Sequence, residues 1–241
     1  MNEDGNNRLR TGLIIFFIGY ILGMVIIGIS TFGDFEAYMF QFHIGFDGDE
    51  TLKALDCPVM MASSETETIT ATFNNPSKNR ISPSVWAQIS EGFFTVVRDY
   101  KENLFIEPGE SEQLQWTIAA EDAVFGHWVL FKVHVYSQYP LPSSDGLCGI
   151  FVADMFGFSG DQVYIFSLVG SVLLMAAGAG IVKYRKSKRK NGKDFPRITL
   201  MLGALVLTGL LLTFIGSYLA IFSGAIFIIS VIALISFLLW R

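Results

Sequence analysis

Residues Thr11–Phe32 read TGLIIFFIGYILGMVIIGISTF, a run of 22 residues without a charged side chain. A transmembrane helix needs about 20 apolar residues to cross about 30 Å of hydrocarbon. The whole chain agrees with this reading, because 51% of its 241 residues are hydrophobic, 16% are charged and its mean hydropathy is +0.47. Ordinary soluble domains contain about 25% charged residues. The sequence therefore predicts an integral membrane protein whose first transmembrane helix covers residues 11–32.

Two further apolar runs predict three more spans. Residues 162–184 form a second transmembrane helix, and residues 198–240 contain no charged side chain in 43 positions. One helix of that length would measure about 65 Å, roughly twice the thickness of the hydrocarbon. We therefore predict two helices there, residues 198–217 and 221–240, joined by a turn near Gly216 to Gly224. The expected class is an α-helical membrane protein with about four transmembrane helices.

The orientation follows from the basic residues. Residues 33–161 carry six basic and nineteen acidic residues, a formal charge of −13. The basic loop at residues 185–197 and the N-terminal tail at residues 1–10 are expected in the cytoplasm with the C-terminus, because cytoplasmic segments are rich in Lys and Arg. We predict a multi-pass protein of the cell (plasma) membrane with residues 33–161 outside. The topology determinants are Lys183, Arg185, Lys186, Lys188, Arg189, Lys190, Lys193 and Arg197.

Two alternatives concern these segments. The first apolar run could be a signal peptide cleaved near Gly28-Ile29-Ser30, which would leave three spans and the same external side. The basic loop could bind nucleic acid in a soluble protein. Beside a membrane it is better interpreted as a topology determinant that contacts anionic lipid.

The external segment alternates apolar and polar residues with a period of two, which is typical of β-strands. Turn signals separate these stretches at residues 74–77, at 108–109 and at Gly126. We predict about seven strands in an antiparallel sandwich. The candidate strands are residues 38–46, 69–73, 85–89, 93–98, 114–118, 129–135 and 149–153.

Two turn patterns carry a family resemblance. Pro-Gly-Glu-Ser at residues 108–111 leads into a strand, and Gly126 followed by Trp128 opens the next. Across Thr66 to Asp154 the chain resembles the Ig-like sandwich domains of prokaryotic cell surfaces, which implies an all-β, Ig-like fold that binds, spaces or scaffolds. The Cys…Trp…Cys spacing of antibody domains does not match. The layout is also similar to that of claudin-like tetraspan proteins, whose Trp…Gly-Leu-Trp…Cys…Cys pattern is absent here.

The only two cysteines, Cys57 and Cys148, both lie in the external segment. An oxidising compartment favours a disulfide between them. The alternative is a pair of unrelated buried thiols. A metal or catalytic role is less favoured, because no histidine-rich spacing accompanies either cysteine.

The histidines do not form a ligand set in the sequence. His127 and His134 are seven residues apart, so they would lie on opposite faces of a strand. His43 is remote from both. We expect all three to be ordinary surface or edge histidines.

Clustered carboxylates occur twice. Residues 46–50 read FDGDE, which lacks the spacing of an EF-hand, and the pair Glu121-Asp122 stands alone. We expect solvated acidic turns at both places rather than metal sites. Gly-x-Ser-x-Gly, His-Glu-x-x-His and P-loop motifs are absent from the sequence. We therefore predict a protein that is not an enzyme and has no cofactor, no metal and no nucleic-acid partner.

The interiors of the predicted spans contain no charged residue, which argues against a transporter because ion pathways usually require charged groups there. Small residues recur at a spacing of four in two spans, as Gly19 with Gly23 and as Ala176 with Gly180. This spacing permits close helix packing, either within one bundle or between copies of the chain.

These observations favour a non-catalytic, membrane-anchored surface protein whose external Ig-like domain binds a partner or scaffolds a membrane complex. Its expected partners are the lipid bilayer and a second protein or another copy of the chain. The aromatic residues Trp86, Phe93, Phe94 and Tyr100 are candidates for one surface. The alternatives are a transport or channel accessory subunit and an externally acting, membrane-bound enzyme.

Overall fold

A computed structural model describes residues 3–39, 49–52, 54–139, 141–186, 195–215 and 224–232. The chain divides into two compact units. The helical unit consists of Met1–Thr31 and Tyr164–Arg241, and the β unit is Phe32–Val163.

The helical unit contains most of α1 (Glu3–Met39) and of α2 (Gly160–Lys186), together with α3 (Phe195–Ile215) and a helix at residues 224–232. Its core is formed by large apolar side chains of α1, α2 and α3, among them Phe16, Met175 and Val206. Buried hydrogen bonds also occur in this unit, such as the one that the Tyr20 hydroxyl donates to the carbonyl oxygen of Ser230 at 2.8 Å.

The prediction of about four transmembrane helices is wrong. Within the described residues, two helical segments are long and apolar enough to cross a membrane, Arg10–Met39 and Gly160–Lys183. The apolar part of α3 is shorter, Leu200–Leu212, and only nine residues of the next helix, 224–232, are described. Parts of the expected spans, residues 216–217, 221–223 and 233–240, lie outside the described residues. The number of spans was predicted from the length of uncharged sequence, but that length does not determine how long each helix is.

The first helix is longer than its apolar run indicates. It continues past the predicted end at Phe32 to Met39, so Tyr38 and Met39 are helical although their neighbours alternate like a strand. The first proline of the chain is Pro58, so no residue of this segment obliges the helix to stop. The rest of the predicted strand at residues 38–46 lies outside the described residues.

The β unit contains nine described strands in two sheets. The larger sheet has the order β1-β9-β8-β5-β6, with β3 also paired to β9, and the smaller has the order β2-β4-β7. The strands are β1 (Glu50–Thr51), β2 (Leu55–Asp56), β3 (Met60–Ala62), β4 (Thr66–Asn74), β5 (Ser84–Glu91), β6 (Phe93–Asn103), β7 (Ser111–Ala119), β8 (Trp128–Val135) and β9 (Ser144–Ala153). The predicted β content is therefore confirmed.

One apolar core lies between the two sheets. Alternate residues of β4 and β7 from the smaller sheet meet alternate residues of β5, β8 and β9 from the larger. The ring of Trp116 on β7 packs against that of Phe131 on β8, with 5.1 Å between centroids. The period of two thus placed the inward residues correctly, because successive side chains of a strand point to opposite faces.

The prediction of an antiparallel, Ig-like sandwich is wrong, because the larger sheet is mixed. Both β1 and β3 pair with β9 in parallel. Between them, β2 crosses to the smaller sheet and pairs with β4. Gly146 on β9 leaves room for this crossing, since a Cβ there would lie 2.9 Å from the Leu55 side chain. Strands of two or three residues carry too short an alternation to be predicted from the sequence.

Candidate functional site

The face of the larger sheet turned away from the core carries a set of polar and charged side chains. Pairing places Trp86 of β5 beside His134 of β8, and His134 beside Asp145 of β9. On the other side of Trp86 lies Lys101 of β6. We call this set the polar face and define it by Trp86, Gln88, Asp99, Lys101, Lys132, His134 and Asp145.

Trp86 is held in one orientation. Its indole Nε1 donates a hydrogen bond to Asp99 Oδ1 at 2.7 Å, and the Gln88 amide donates to the same oxygen at 2.6 Å. The Lys101 ammonium lies 4.5 Å from the centroid of the Trp86 ring, within the range of a cation–π interaction. The ring is half-buried. These contacts make Trp86 a rigid aromatic surface at the rim of the polar face.

His134 is paired with a carboxylate. Its Nδ1 lies 2.5 Å from Asp145 Oδ1, and both side chains are buried. The ring of exposed Tyr136 meets the imidazole edge to face, with 4.5 Å between centroids. The expectation of an ordinary surface histidine is therefore wrong for His134, because a central strand has neighbours on both sides. His127 is exposed just before β8, and His43 lies outside the described residues.

Two further polar side chains of this face are buried. Gln88 has no exposed surface, and Lys132 is 3% exposed. Removing an amide or an ammonium from water is costly unless polar groups compensate it. The polar face therefore combines a buried polar interior with an exposed rim formed by Lys101 and Asp99.

An ion pair lies at the edge of the same sheet. Arg98 Nη2 of β6 is 2.5 Å from Asp122 Oδ1, in the short 3-10 helix Ala120–Asp122. The other Asp122 oxygen accepts a hydrogen bond from the Ala119 amide at 2.9 Å. The expected solvated turn is thus wrong for Asp122, which is 2% exposed, whereas Glu121 is exposed. A charged partner contributed by a remote strand made this burial possible.

A cleft of about 190 Å³ opens at the end of the sheets where β8 finishes. Drug-sized ligands usually occupy about 300–1,000 Å³, so this cleft suits a single side chain or a small apolar group. Apolar residues line most of it, including Leu52, Phe73, Ile81, Ile106 and Leu141, with Tyr136 and Ser144 also lining it.

The predicted disulfide is confirmed. Cys57 and Cys148 are bonded, with 6.5 Å between their Cα atoms. The bond joins the segment between β2 and β3 to the middle of β9. It therefore ties the crossing segment to the larger sheet at the point where backbone pairing is interrupted.

The acidic cluster near residue 50 has structural contacts. The Ser143 hydroxyl donates to Asp49 Oδ2 at 3.1 Å, while Glu50 and Asp56 are exposed. Asp47 lies outside the described residues. Within the described part of the chain, no three His, Cys, Asp or Glu side chains are grouped as metal ligands would be.

Glycines of the helical unit lie at close helix contacts. A Cβ on Gly19 would lie 2.7 Å from the carbonyl oxygen of Ser171, and one on Gly23 would lie 2.6 Å from Val206 Cγ1. The Ser171 hydroxyl donates to the carbonyl oxygen of Gly19 at 2.8 Å. Ala176 and Gly180 are exposed, and a Cβ on Gly180 would meet no atom within 4 Å.

A further close contact of α1 and α2 involves glycines that sequence reasoning missed. A Cβ on Gly178 would lie 2.5 Å from the Phe16 amide nitrogen and 2.6 Å from the carbonyl oxygen of Gly12. Gly12 precedes Gly19 by seven residues, so both lie on one face of α1. That spacing was the signal that could have identified Gly12.

The topology determinants are only partly described. Lys183 is exposed on α2. Arg185 and Lys186 belong to α2, and Arg197 belongs to α3. Four others lie outside the described residues: Lys188, Arg189, Lys190 and Lys193. Their role in orientation stays a prediction.

Only part of the polar face was recognised in the sequence. Of the four aromatic residues expected on one surface, Trp86 lies on it, whereas Tyr100 is half-buried against the core. The side chains of Phe93 and Phe94 lie outside the described set. The missed signal was a second alternation, since Gln88, Lys132 and His134 occupy the positions between core residues of β5 and β8.

Comparisons with known proteins add little to this geometry. No protein-family model matches the chain. A search of curated proteins finds no match. One solved structure, a cycloisomaltooligosaccharide glucanotransferase of Paenibacillus sp. complexed with cycloisomaltoheptaose, is similar to 45% of this chain and 14% of its own, with 18% identity and a TM-score of 0.32. A likeness at this TM-score carries no argument about the present chain.

Proposed function

We propose that this chain is a non-catalytic, membrane-anchored surface protein whose β unit binds a protein partner through Trp86 and the exposed rim of the polar face. The observation that carries the proposal is the order along the chain, in which a disulfide-bonded β unit follows one long apolar helix and precedes another. Disulfides persist in oxidising environments outside the cytosol. The bond therefore supports an external position for residues 33–161.

The charge distribution supports the same orientation. The segment between the two candidate spans has a formal charge of −13, and eight basic residues follow at 183–197. Lys and Arg accumulate in cytoplasmic loops. With the basic segment inside, α1 and α2 would anchor the β unit to the bilayer, the first partner of this protein.

The polar face has the features of a binding surface. Protein interfaces owe much of their affinity to rigid aromatic and basic side chains at well-packed positions. Trp86 meets this description, because Asp99 and Lys101 hold its ring before any partner arrives. A side chain that is already ordered loses little conformational entropy on binding.

The charge of the β unit indicates the kind of partner. A net charge of −13 attracts a basic surface and raises the association rate at low salt. We therefore expect a partner whose surface is basic overall, whereas the contact at Trp86 itself lies beside the Lys101 ammonium. The proposal requires no metal and no cofactor.

The test is co-purification from native membranes in mild detergent, with Trp86→Ala compared with Phe105→Ala. Phe105 is a matched control, because Arg80 lies over its ring at 5.0 Å as Lys101 lies over Trp86 at 4.5 Å. We expect Trp86→Ala to reduce the recovered partner about tenfold, which corresponds to about 1.4 kcal/mol. Phe105→Ala should leave recovery unchanged.

Two outcomes contradict the proposal. If equal amounts of the partner were recovered with Trp86→Ala and Phe105→Ala, the polar face would not be the binding surface. A wild-type chain that co-purifies with no protein would remove partner binding altogether. Anchoring is measured separately, since an integral protein stays in the membrane pellet after alkaline carbonate.

A further inference from the structure

Two turns of the β unit share an unusual backbone. Phe125 and Phe156 have φ angles of +53° and +52°, and each is followed by a glycine with positive φ, Gly126 at +76° and Gly157 at +88°. The left-handed region is disfavoured for residues with a Cβ, and Asn or Gly usually occupies such turns. Among the described residues, these two phenylalanines are the non-glycine residues with positive φ.

The strained phenylalanines are also exposed. The Phe156 side chain is 94% exposed and that of Phe125 is 54% exposed. Burial in the core therefore does not account for an aromatic residue at either position. Phe158, two residues after Phe156, is 53% exposed as well. Strain combined with an exposed apolar side chain indicates that the aromatic ring itself has a use there.

Both turns lie at the same end of the larger sheet. Trp128 at the start of β8 pairs with Phe151 near the end of β9, and the Val152 amide donates to the carbonyl oxygen of His127 at 2.9 Å. The Phe125 turn precedes β8 and the Phe156 turn follows β9, so pairing brings the two turns to one end. The candidate span Gly160–Lys183 begins two residues after Phe158.

We propose that Phe125, Phe156 and Phe158 form a membrane-contact surface that inserts into the interfacial region of the bilayer. This inference rests on the proposed membrane anchoring. The lipid surface is the chosen occupant, because the Phe156 turn continues directly into an apolar helix long enough to enter a bilayer. Aromatic side chains at such positions bind the boundary between headgroups and acyl chains.

The surrounding charges define which lipid is expected. Residues 121–128 and 154–161 contain no Lys or Arg, and Glu121 and Asp154 are exposed. The guanidinium of Arg98 reaches this region, but it is paired with the Asp122 carboxylate. Attraction to anionic headgroups requires basic residues near the surface. The burial of apolar side chains should therefore drive insertion at this surface. The extent of insertion should not depend on anionic lipid or on salt concentration.

The experiment places the photoreactive residue benzoylphenylalanine at position 125 or 156 of the full chain, reconstituted in vesicles. One set of vesicles is phosphatidylcholine and the other is phosphatidylcholine mixed with phosphatidylglycerol. The matched control is position 139, since Tyr139 is 96% exposed at the opposite end of the β8–β9 pair. We expect lipid adducts at 125 and 156 with equal yield in both vesicles, and at least tenfold less adduct at 139.

The outcomes separate this inference from the proposed function. A chain that resists carbonate extraction but gives no lipid adduct at 125 and 156, or gives protein adducts there, overturns the membrane-contact surface alone. Lipid adducts at only one of positions 125 and 156 would contradict a surface shared by the two turns. An equal adduct yield at position 139 would show that lipid contact is not specific to this surface, and it would also contradict the proposal. A chain extracted from the vesicles by carbonate overturns the anchoring and this inference with it.

Discussion

Glu67 shows how one carboxyl group links the stability of the β unit to pH. It lies on β4 on the same side as Ile69 and Ala71, near the end of the core. Burial raises the pKa of this carboxyl above its ordinary value, and the nearby carboxylates of Asp161 and Glu65 raise it further. The folded state therefore holds the Glu67 proton more tightly than the unfolded state does.

The sign of the effect follows from proton binding. As the pH rises through the ordinary glutamate range to the raised pKa, the unfolded state loses its proton first, so stability falls. We expect Glu67→Gln to raise the urea midpoint at about pH 7, with a smaller gain at about pH 4. Tryptophan fluorescence measures the midpoint. Glu112→Gln, at an exposed position of β7, is the control. An equal gain at both pH values would contradict the assignment.

The strained turns give a second prediction for single residues. Asn adopts the left-handed region more easily than Phe, because its short polar side chain can bond locally. We expect Phe125→Asn and Phe156→Asn each to raise the free energy of unfolding by about 1 kcal/mol. Phe105→Asn is the control, since Phe105 is 61% exposed and has negative φ. A loss of stability in both variants would show that the rings support the fold.

Helix packing provides a prediction for elements. A Cβ on Gly178 would collide with the α1 backbone, whereas one on Gly180 would enter open space. We expect Gly178→Ala to destabilise the helical unit by about 2 kcal/mol, because overpacking costs about 1–3 kcal/mol. Gly180→Ala should be neutral or stabilising, since Ala favours a helix by about 1 kcal/mol. Unfolding in detergent measures both, and similar effects would contradict the contact.

The elements also differ in how well the sequence predicted them. Long strands such as β4, β7 and β8 were found at their correct places, because each repeats its alternation several times. The strands β1, β2 and β3 were missed, since two or three residues contain no period. The helix α1 was predicted too short, because residues 33–39 continue the helix beyond the apolar run from which it was predicted. Gly33 in this continuation packs closely, since a Cβ there would lie 2.6 Å from the carbonyl oxygen of Gly149.

The disulfide acts on the whole β unit. Its cysteines are 91 residues apart, so the bond restricts most of that unit in the unfolded state. Removing a native disulfide typically costs about 2–5 kcal/mol. We expect the double variant Cys57→Ser with Cys148→Ser to lose stability in that range in urea. Reduced wild-type protein should unfold at the same urea concentration as the variant, and an unchanged midpoint in the variant would contradict the prediction.

The sequence by itself determined the local properties of this protein. Apolar length predicted the helices, alternation predicted the long strands, and two cysteines in one segment allowed a single disulfide within the chain. These properties depend on neighbours along the chain, so they are readable without a fold. The count of four transmembrane helices failed, because composition alone does not determine how far a helix extends.

The tertiary structure alone decided the polar face and the two phenylalanine turns. His134 contacts Asp145 on the neighbouring strand, and Asp49 accepts a hydrogen bond from Ser143, which is 94 residues away in the sequence. The parallel pairing of β1 and β3 with β9 likewise joins segments about 90 residues apart. Strand register sets these partners, and register depends on the whole core. The sequence therefore predicted what each segment forms, and only the packed sheets decided which side chains meet.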